Sequence, residues 1–187
     1  SDAIDVDISE VHITDSTILN SGNDGIDLMS STLLGERIHV SGSGDKGFSV
    51  GVGSKAVVVN SILRKNAIGI ESKDGSQAQF VHTDLIDNKV QLNAYRKNWR
   101  YGKGGHIDLR KSKLLGVENV LTSQKRSSIV IQDSAISPKP DIGKRITIHP
   151  DVDFLNIENA KTTEYGEGML PMFDLKLTAA LIGTRGA

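Results

Sequence analysis

The amino-acid sequence predicts an all-β fold, a right-handed parallel β-helix in which one chain winds through about six coils of short strands. The first observation is a spacing of 22 residues between equivalent apolar positions, namely Ile4, Ile26, Phe48, Ile70 and Leu92. The second is that apolar residues alternate with period two around these positions, which favours strands over helices. The third is that turn-forming residues recur between the apolar runs.

Each coil is predicted to contain three strands joined by corners. The first strands carry the apolar pairs Ile4 with Val6, Ile26 with Leu28, and Phe48 with Val50. The second strands carry pairs such as Val11 with Ile13, Ala56 with Val58, and Ile107 with Leu109. A corner that leads into the third strand recurs at Ser16, Ser61, Ser112 and Ser134. A closing bend is predicted at Gly22, Gly44, Asn66 and Asn88, because Gly and Asn tolerate a left-handed backbone best.

Residues 1–137 are predicted to form the β-helix repeats, and residues 138–187 an irregular carboxy-terminal cap over the last core layer. The 22-residue spacing stops near Pro138, although Ile146 and Ile148 favour one more strand and the alternation over 173–177 another. The alternative is that 138–187 is a linker into a further domain. Because the first strand begins at once, we also expect a longer protein whose repeats continue on the amino-terminal side.

Composition limits the classes of function. The chain has 187 residues and a formal net charge of −1, which argues against nucleic acid as the default partner. Because no window of 18 residues is apolar throughout, we expect no membrane span. The absence of cysteine suits both the cytosol and a bacterial exterior without disulfides. Because the terminal coils would expose unpaired strand edges, an end-to-end dimer of two chains is a further alternative.

The outward positions of the first strands are predicted to form a charged ladder. Asp5, Asp27, Ser49, Glu71 and Asn93 should stack at about 4.8 Å on one face. Neighbouring positions add Asp7, Asp24, Lys46, Lys73 and Asp74. Since stacked carboxylates repel one another unless a cation intervenes, a hard cation such as Ca²⁺ is expected at Asp5, Asp7, Asp24 and Asp27. The alternative is that these charges only solvate the outside of a sheet.

An insertion in the fifth coil gives a second candidate site. The step from the first to the second strand lengthens from seven residues in the first coil to fifteen between Leu92 and Ile107. The inserted segment holds the only Trp, two of the three Tyr and four cations. Because aromatic rings stack on sugars and cations pair with carboxylates, we expect it to bind an acidic polysaccharide. The residues expected to do so are Tyr95, Arg96, Lys97, Trp99 and Arg100. Alternatively, Trp99 folds back over exposed strand backbone.

Segments 24–28, 44–51 and 66–76 resemble right-handed β-helix repeat proteins of the pectate-lyase-like superfamily, and the resemblance extends over about 1–136. The second and third segments are similar to a bacterial subgroup found within larger exported proteins. The resemblance implies an extracellular or cell-surface location, with the export signal outside this sequence. It also implies a polysaccharide cleft on the first-strand face.

The same resemblance implies two reactions. In the lyases an Arg or Lys abstracts the proton alpha to a uronate carboxylate, and in the hydrolases paired Asp residues act as acid and base. By this similarity the candidate catalytic residues are Asp5, Asp27, Lys46, Glu71 and Lys73. We therefore expect a module that binds an acidic polysaccharide, with cleavage or epimerisation as its enzymatic form. The alternative is a non-catalytic rigid or adhesive module of a surface protein.

Overall fold

The computed structural model describes residues 1–155, and over this range the chain is an all-β parallel solenoid. All of its strand pairings are parallel. The first strands of successive coils form a six-stranded sheet. They are β1 (Ile4–Asp7), β3 (Ile26–Met29), β5 (Lys46–Gly51), β8 (Ile68–Lys73), β11 (Val90–Tyr95) and β14 (Leu121–Ser123). We number the coils by these strands and call the outward side of this sheet the first-strand face.

The second and third strands of the coils form a 12-stranded sheet. In coils 1 and 2 they are continuous, as β2 (Glu10–Leu19) and β4 (Thr32–Ser41). In the next coils they are β6 (Lys55–Val59), β7 (Ile62–Arg64), β9 (Gln77–Val81), β10 (Asp84–Ile86), β12 (His106–Arg110), β13 (Lys113–Leu115), β15 (Ser128–Gln132) and β16 (Ala135–Ser137). Two last strands, β17 (Ile146–Ile148) and β18 (Asp153–Phe154), pair with β15 and β16.

The solenoid therefore continues beyond the six coils expected from the sequence. The strand expected at Ile146 and Ile148 is confirmed as β17, which with β18 makes a partial seventh coil. Between β16 and β17, residues 138–145 contain no strand, so the regular spacing is interrupted near Pro138 as the sequence indicates. The division into repeats and cap stays a prediction. The strand expected over 173–177 lies outside the described residues.

The 22-residue register is confirmed, and it stacks the core in one layer per coil. The pairing aligns Ile26 with Phe48, and Leu92 with Ile70, and all four side chains are fully buried. Phe48 also meets Phe80 of the opposite sheet edge to face, with the ring centroids 5.3 Å apart. Burying each such side chain contributes about 1.5–3 kcal/mol, so the stacked layers supply the main stabilisation.

Side chains at the corners hydrogen-bond from one coil to the next. Ser61 accepts a bond from Ile38 N at 3.0 Å and donates to Val59 O in its own coil, 2.9 Å away. The serine at this corner therefore satisfies backbone groups of the turn. At the closing bend, Asn88 Oδ1 accepts bonds from the backbone and side-chain nitrogens of Asn66, at 3.0 and 2.9 Å.

Left-handed residues turn the corners, but the sequence misplaces those of the closing bend. They are Asn20, Gly42, Lys65 and Asp87, with φ between 53° and 74°, and not Gly22, Gly44, Asn66 and Asn88. Gly44 is required for a different reason, because a Cβ there would lie 2.5 Å from the carbonyl oxygen of Gly22. The side-chain amides of Asn66 and Asn88 hydrogen-bond to each other between neighbouring coils. Tight stacking and hydrogen bonding, rather than backbone conformation, explain these four residue types.

Candidate functional site

The first-strand face carries the predicted outward column in register. Strand pairing aligns Asp5 with Asp27, Asp27 with Ser49, Ser49 with Glu71, and Glu71 with Asn93. The column changes in character along the solenoid, because Asp5 is exposed whereas Ser49 and Glu71 are buried. The face is therefore open and acidic in its first coils and closed over by polar contacts farther along.

Glu71 is the centre of a buried polar network, and its exposed fraction is only 2%. Its Oε1 lies 3.3 Å from Lys73 Nζ and 4.0 Å from Lys46 Nζ. The same oxygen accepts a hydrogen bond from Tyr95 Oη at 3.3 Å, and Oε2 accepts one from Asn93 Nδ2 at 2.9 Å. Side chains from coils 3, 4 and 5 thus converge on one carboxylate.

Lys46 pairs with carboxylates from three coils. Its Nζ lies 3.4 Å from Oδ1 of the buried Asp24 and also contacts Asp45 and Glu71. Burial lowers the pKa of Lys46, but the three carboxylates outweigh burial and raise that pKa above its ordinary value. A general base would need the opposite shift, so this environment favours a protonated, charge-pairing lysine.

Lys73 lies flat along the face. A Cβ on Gly51 would lie 2.8 Å from Lys73 Cε, which shows that the lysine stem covers this glycine. Lys73 Nζ donates a hydrogen bond to Ser49 Oγ at 2.8 Å, besides its contact with Glu71. The resemblance makes both lysines candidate catalytic residues, but here both face Glu71. Their charges are balanced within the protein.

The carboxylates predicted to bind Ca²⁺ do not share one environment. Asp7 above all, and then Asp27 and Asp2, raise the pKa of the exposed Asp5, as expected for crowded like charges. Asp24 is buried instead, and burial raises its pKa while Lys46 opposes that shift. Among residues 1–155, no three acidic or histidine side chains form a group suited to a metal ion. A Ca²⁺ site at Asp5, Asp7, Asp24 and Asp27 stays a prediction.

The loop inserted between β11 and β12 is fixed to the coils on either side of it. Asn98 N donates to Oδ1 of the buried Asp74 at 2.9 Å. At the neck of the loop, Gly104 N donates to Arg126 O at 2.9 Å, and Gly104 O accepts from Gly75 N at 3.1 Å. The neck thereby continues the backbone ladder through coils 4, 5 and 6.

Two adjacent glycines, Gly104 and Gly105, lie at this neck, and sequence reasoning missed them although a Gly-Gly pair is a recognisable signal of close backbone packing. A Cβ on Gly105 would lie 1.9 Å from Ser72 O, and one on Gly104 would lie 1.9 Å from Ser127 Oγ. A side chain at Gly105 would therefore force the backbone apart, whereas one at Gly104 would first displace the Ser127 side chain. The loop leaves the solenoid along one route only.

The tip of the loop projects into solvent. Trp99 is 77% exposed, so the alternative in which it covers strand backbone is wrong. The Arg100 guanidinium carbon lies 6.0 Å from the centroid of the Trp99 ring, within cation–π range. Lys97 and Lys103 are exposed, whereas Arg96 and Tyr95 are partly buried. Tyr95, at the base of the loop, donates a hydrogen bond to Glu71 and belongs to the buried network.

Arg126 joins this surface, although it is remote in sequence. Its Nη1 donates to Gly102 O at 3.2 Å. Nothing in the sequence indicates this contact, because only the folded route of the insertion brings Gly102 over the turn of coil 6. We call residues 96–103 together with Arg126 the lip. It contains five cations and no acidic residue.

Charge is distributed unevenly along the solenoid. Residues 1–22, the first coil, contain five acidic residues and no Lys or Arg. Residues 89–117, the fifth coil with its insertion, contain eight Lys and Arg residues and a single acidic one, Asp108. An approaching anion is therefore repelled from the first coil and attracted to the fifth.

A groove of about 340 Å³ lies on the outer side of the other sheet. Its polar lining includes Lys55, Gln77, Gln79, His106 and Asp108. Asp108 is already engaged by Arg110, with Oδ2 2.5 Å from Nη2, and the lining contains neither Trp nor Tyr. The lip, with its exposed indole and its cations, is the stronger candidate.

Within the described part of the chain, no helix has the length and apolar character needed to cross a membrane. In comparisons with known proteins, no family model, curated protein or solved structure matches the sequence. The parallel solenoid is thus established by the structure itself, and the pectate-lyase-like superfamily stays an expectation from the sequence.

Proposed function

We propose that this protein is a carbohydrate-binding β-solenoid module that holds an acidic polysaccharide at the lip. The observation that carries the proposal is the exposed indole of Trp99 among cations in a segment free of acidic residues. An indole face stacks on a sugar ring, while guanidinium and ammonium groups pair with uronate carboxylates. The resemblance of the repeats to the pectate-lyase-like superfamily supports a glycan ligand and a bacterial cell-surface location.

In this proposal the ligand lies across the lip rather than along the whole first-strand face. Asp5, Asp7 and Asp27 repel a polyanion from the first two coils unless a cation such as Ca²⁺ bridges them. Lys46 and Lys73 are already paired with Glu71 and offer little net attraction. The lip, by contrast, presents Lys97, Arg100 and Lys103 as exposed cations outside this network.

The geometry favours binding over turnover. The raised pKa of Lys46 keeps it protonated near neutral pH. Burial, and then the charge of Glu71, raise the pKa of Tyr95 to about 12, so this phenol also keeps its proton. Neither group is suited to abstract a proton from a uronate. Tyr95 donates a hydrogen bond to Glu71, and Lys46 acts as a charge partner of its neighbouring carboxylates.

Calorimetric titration with polygalacturonate and alginate, with neutral dextran as control, tests the proposal. We expect binding of the acidic polymers that weakens with salt, and none of dextran. Trp99→Ala and the combined Arg96→Gln, Lys97→Gln, Arg100→Gln variant should each weaken it at least about tenfold, as expected for loss of a stacking or ion-pairing contact. Lys55→Gln, an exposed cation on the other sheet, is the matched control. Equal affinity for dextran, or no effect of the lip variants, would contradict the proposal.

The second candidate is a rigid or adhesive spacer. The observation that favours it is continuous parallel pairing through all the coils of the described chain, which gives a stiff rod stabilised by neighbour contacts. A third outcome, lyase activity, would be detected by an assay for unsaturated uronate product. Absence of both binding and product across the panel would favour the spacer.

A further inference from the structure

The two ends of the first-strand face are complementary to each other. At the amino end, Asp5, Asp7 and Asp27 surround exposed apolar side chains, with Ile8 80% and Met29 41% exposed. At the other end, the lip presents an exposed indole among cations. One end thus offers carboxylates around apolar surface, and the other offers an aromatic group surrounded by positive charge.

Between these ends the face is flat. Coil 3 contributes Ser49 and Gly51, which are both buried. The stem of Lys73 lies over Gly51, and its ammonium group is bonded to Ser49 and Glu71 rather than projecting outward. A second flat surface can therefore approach the middle of the face closely.

The complementary groups also lie in matching positions along the strand direction. Ile8, Val52 and Asp74 are left-handed residues at the corner that follows the first strand, in coils 1, 3 and 4. Asp74 holds Asn98, the neighbour of Trp99, so the tip of the lip lies over this same corner. Ile8 and Trp99 therefore occupy the same edge of the face, separated along the solenoid axis.

We propose that two copies of this chain associate through their first-strand faces as an antiparallel dimer. A two-fold axis parallel to the strands at coil 3 places coil 5 of each copy against coil 1 of the other, about 10 Å from the axis at the usual strand spacing. Trp99 of one copy then packs on Ile8 and Met29 of its partner. The lip cations of each copy face the partner's Asp5, Asp7 and Asp27, and symmetry forms the contact twice.

This dimer does not require a carbohydrate ligand, because the partner's acidic end supplies the negative charge that faces the lip. A polyanion and a second copy would nevertheless compete for the same cations. Dimerisation is therefore expected in low salt without polymer and should decrease when polygalacturonate is added. An end-to-end dimer through the edge of coil 1 would not involve the lip.

Sedimentation equilibrium of the 187-residue chain tests the proposal. We expect a dimer at low ionic strength that dissociates in high salt. The Asp5→Lys, Asp27→Lys variant and the Arg96→Glu, Lys97→Glu, Arg100→Glu variant should each be monomeric. Mixed together, they should form a heterodimer, because both of its contacts again join opposite charges. Lys55→Glu should leave the dimer unchanged.

Three outcomes would overturn the proposal: a monomer under every condition, a dimer that the lip reversal does not weaken, or mixed variants that fail to associate. Circular dichroism of each variant checks that the solenoid is intact. The Asp5→Lys, Asp27→Lys variant should still bind polygalacturonate, so failure of the dimer and failure of the carbohydrate site are distinguishable.

Discussion

Tyr95 donates a hydrogen bond to Glu71 in the neighbouring coil, with 3.3 Å between Oη and Oε1. Tyr95 is the last residue of β11 before the inserted loop, and Glu71 is the carboxylate on which two lysines converge. The contact therefore joins the buried charge network to the base of the lip. A substitution in the network should therefore change both the free energy of unfolding and the position of the lip.

Replacing Glu71 with Ala should lower the free energy of unfolding by about 3–5 kcal/mol, because it leaves two largely buried ammonium groups without their shared partner. Urea unfolding followed by circular dichroism measures the loss. Asp45→Ala is the control, since the Asp45 side chain is 41% exposed and its removal should cost about 1 kcal/mol or less. A loss for Glu71→Ala no larger than for the control would contradict a buried network.

Tyr95 should ionise near pH 12, the value to which burial and Glu71 raise its pKa. In the unfolded chain the phenol ionises near pH 10, so this stabilisation is complete below about pH 10 and is lost as the pH rises through 12. Ultraviolet absorbance titration of the tyrosines should show a late step that is absent in Tyr95→Phe. Glu71→Gln should move the step to lower pH, and an unchanged step would argue against the contact.

Val52→Asn should raise the free energy of unfolding by about 1 kcal/mol. Val52 is β-branched yet has φ of 50°, a left-handed conformation that Asn tolerates better. The adjacent Gly53 has φ of 71° and open space around it, so Gly53→Ala should cost about 1 kcal/mol through backbone strain alone. Thermal and urea unfolding should shift in opposite directions for the two variants. A shift in the same direction would show that the corner does not require a left-handed residue.

Gly105→Ala should destabilise the neck of the loop by about 1–3 kcal/mol, because its Cβ would overlap the carbonyl oxygen of Ser72. Gly102→Ala, at a position with nothing within 4 Å of the added Cβ, should change stability by less than about 0.5 kcal/mol. Fluorescence of Trp99, the only Trp, should report a displaced lip in the first variant alone. Identical spectra and stabilities would mean that the neck is free to move.

The coil could be predicted from the sequence because equivalent apolar positions recur at intervals of 22 residues in the first five coils. Ile26 and Phe48 occupy the same position in successive repeats, and in a parallel solenoid such residues must pair. The acidic column was predictable for the same reason, since Asp5 and Asp27 alternate with inward residues. The loop was predictable as an insertion because it interrupts the interval between Leu92 and Ile107.

The remaining features depend on side-chain direction and on the folded path. Lys46 and Glu71 lie in different coils, and only the direction of the lysine stem brings Nζ within 4.0 Å of Oε1. Arg126 reaches Gly102 only because the loop turns over coil 6. Residue type did not reveal the left-handed corners, since stacking holds even Ile8 and Val52 in that conformation.

The parallel stacking of coils also determines how the molecule would respond to tension along its axis. Hydrogen bonds between coils run along that axis, so a pulling force opens them in succession, beginning at an end coil. A stacked coil adds about 4.8 Å to the height of the solenoid, whereas its 22 residues reach about 75 Å when extended. The protein would lengthen in discrete steps of one coil each and shorten again as freed coils restack on those that remain.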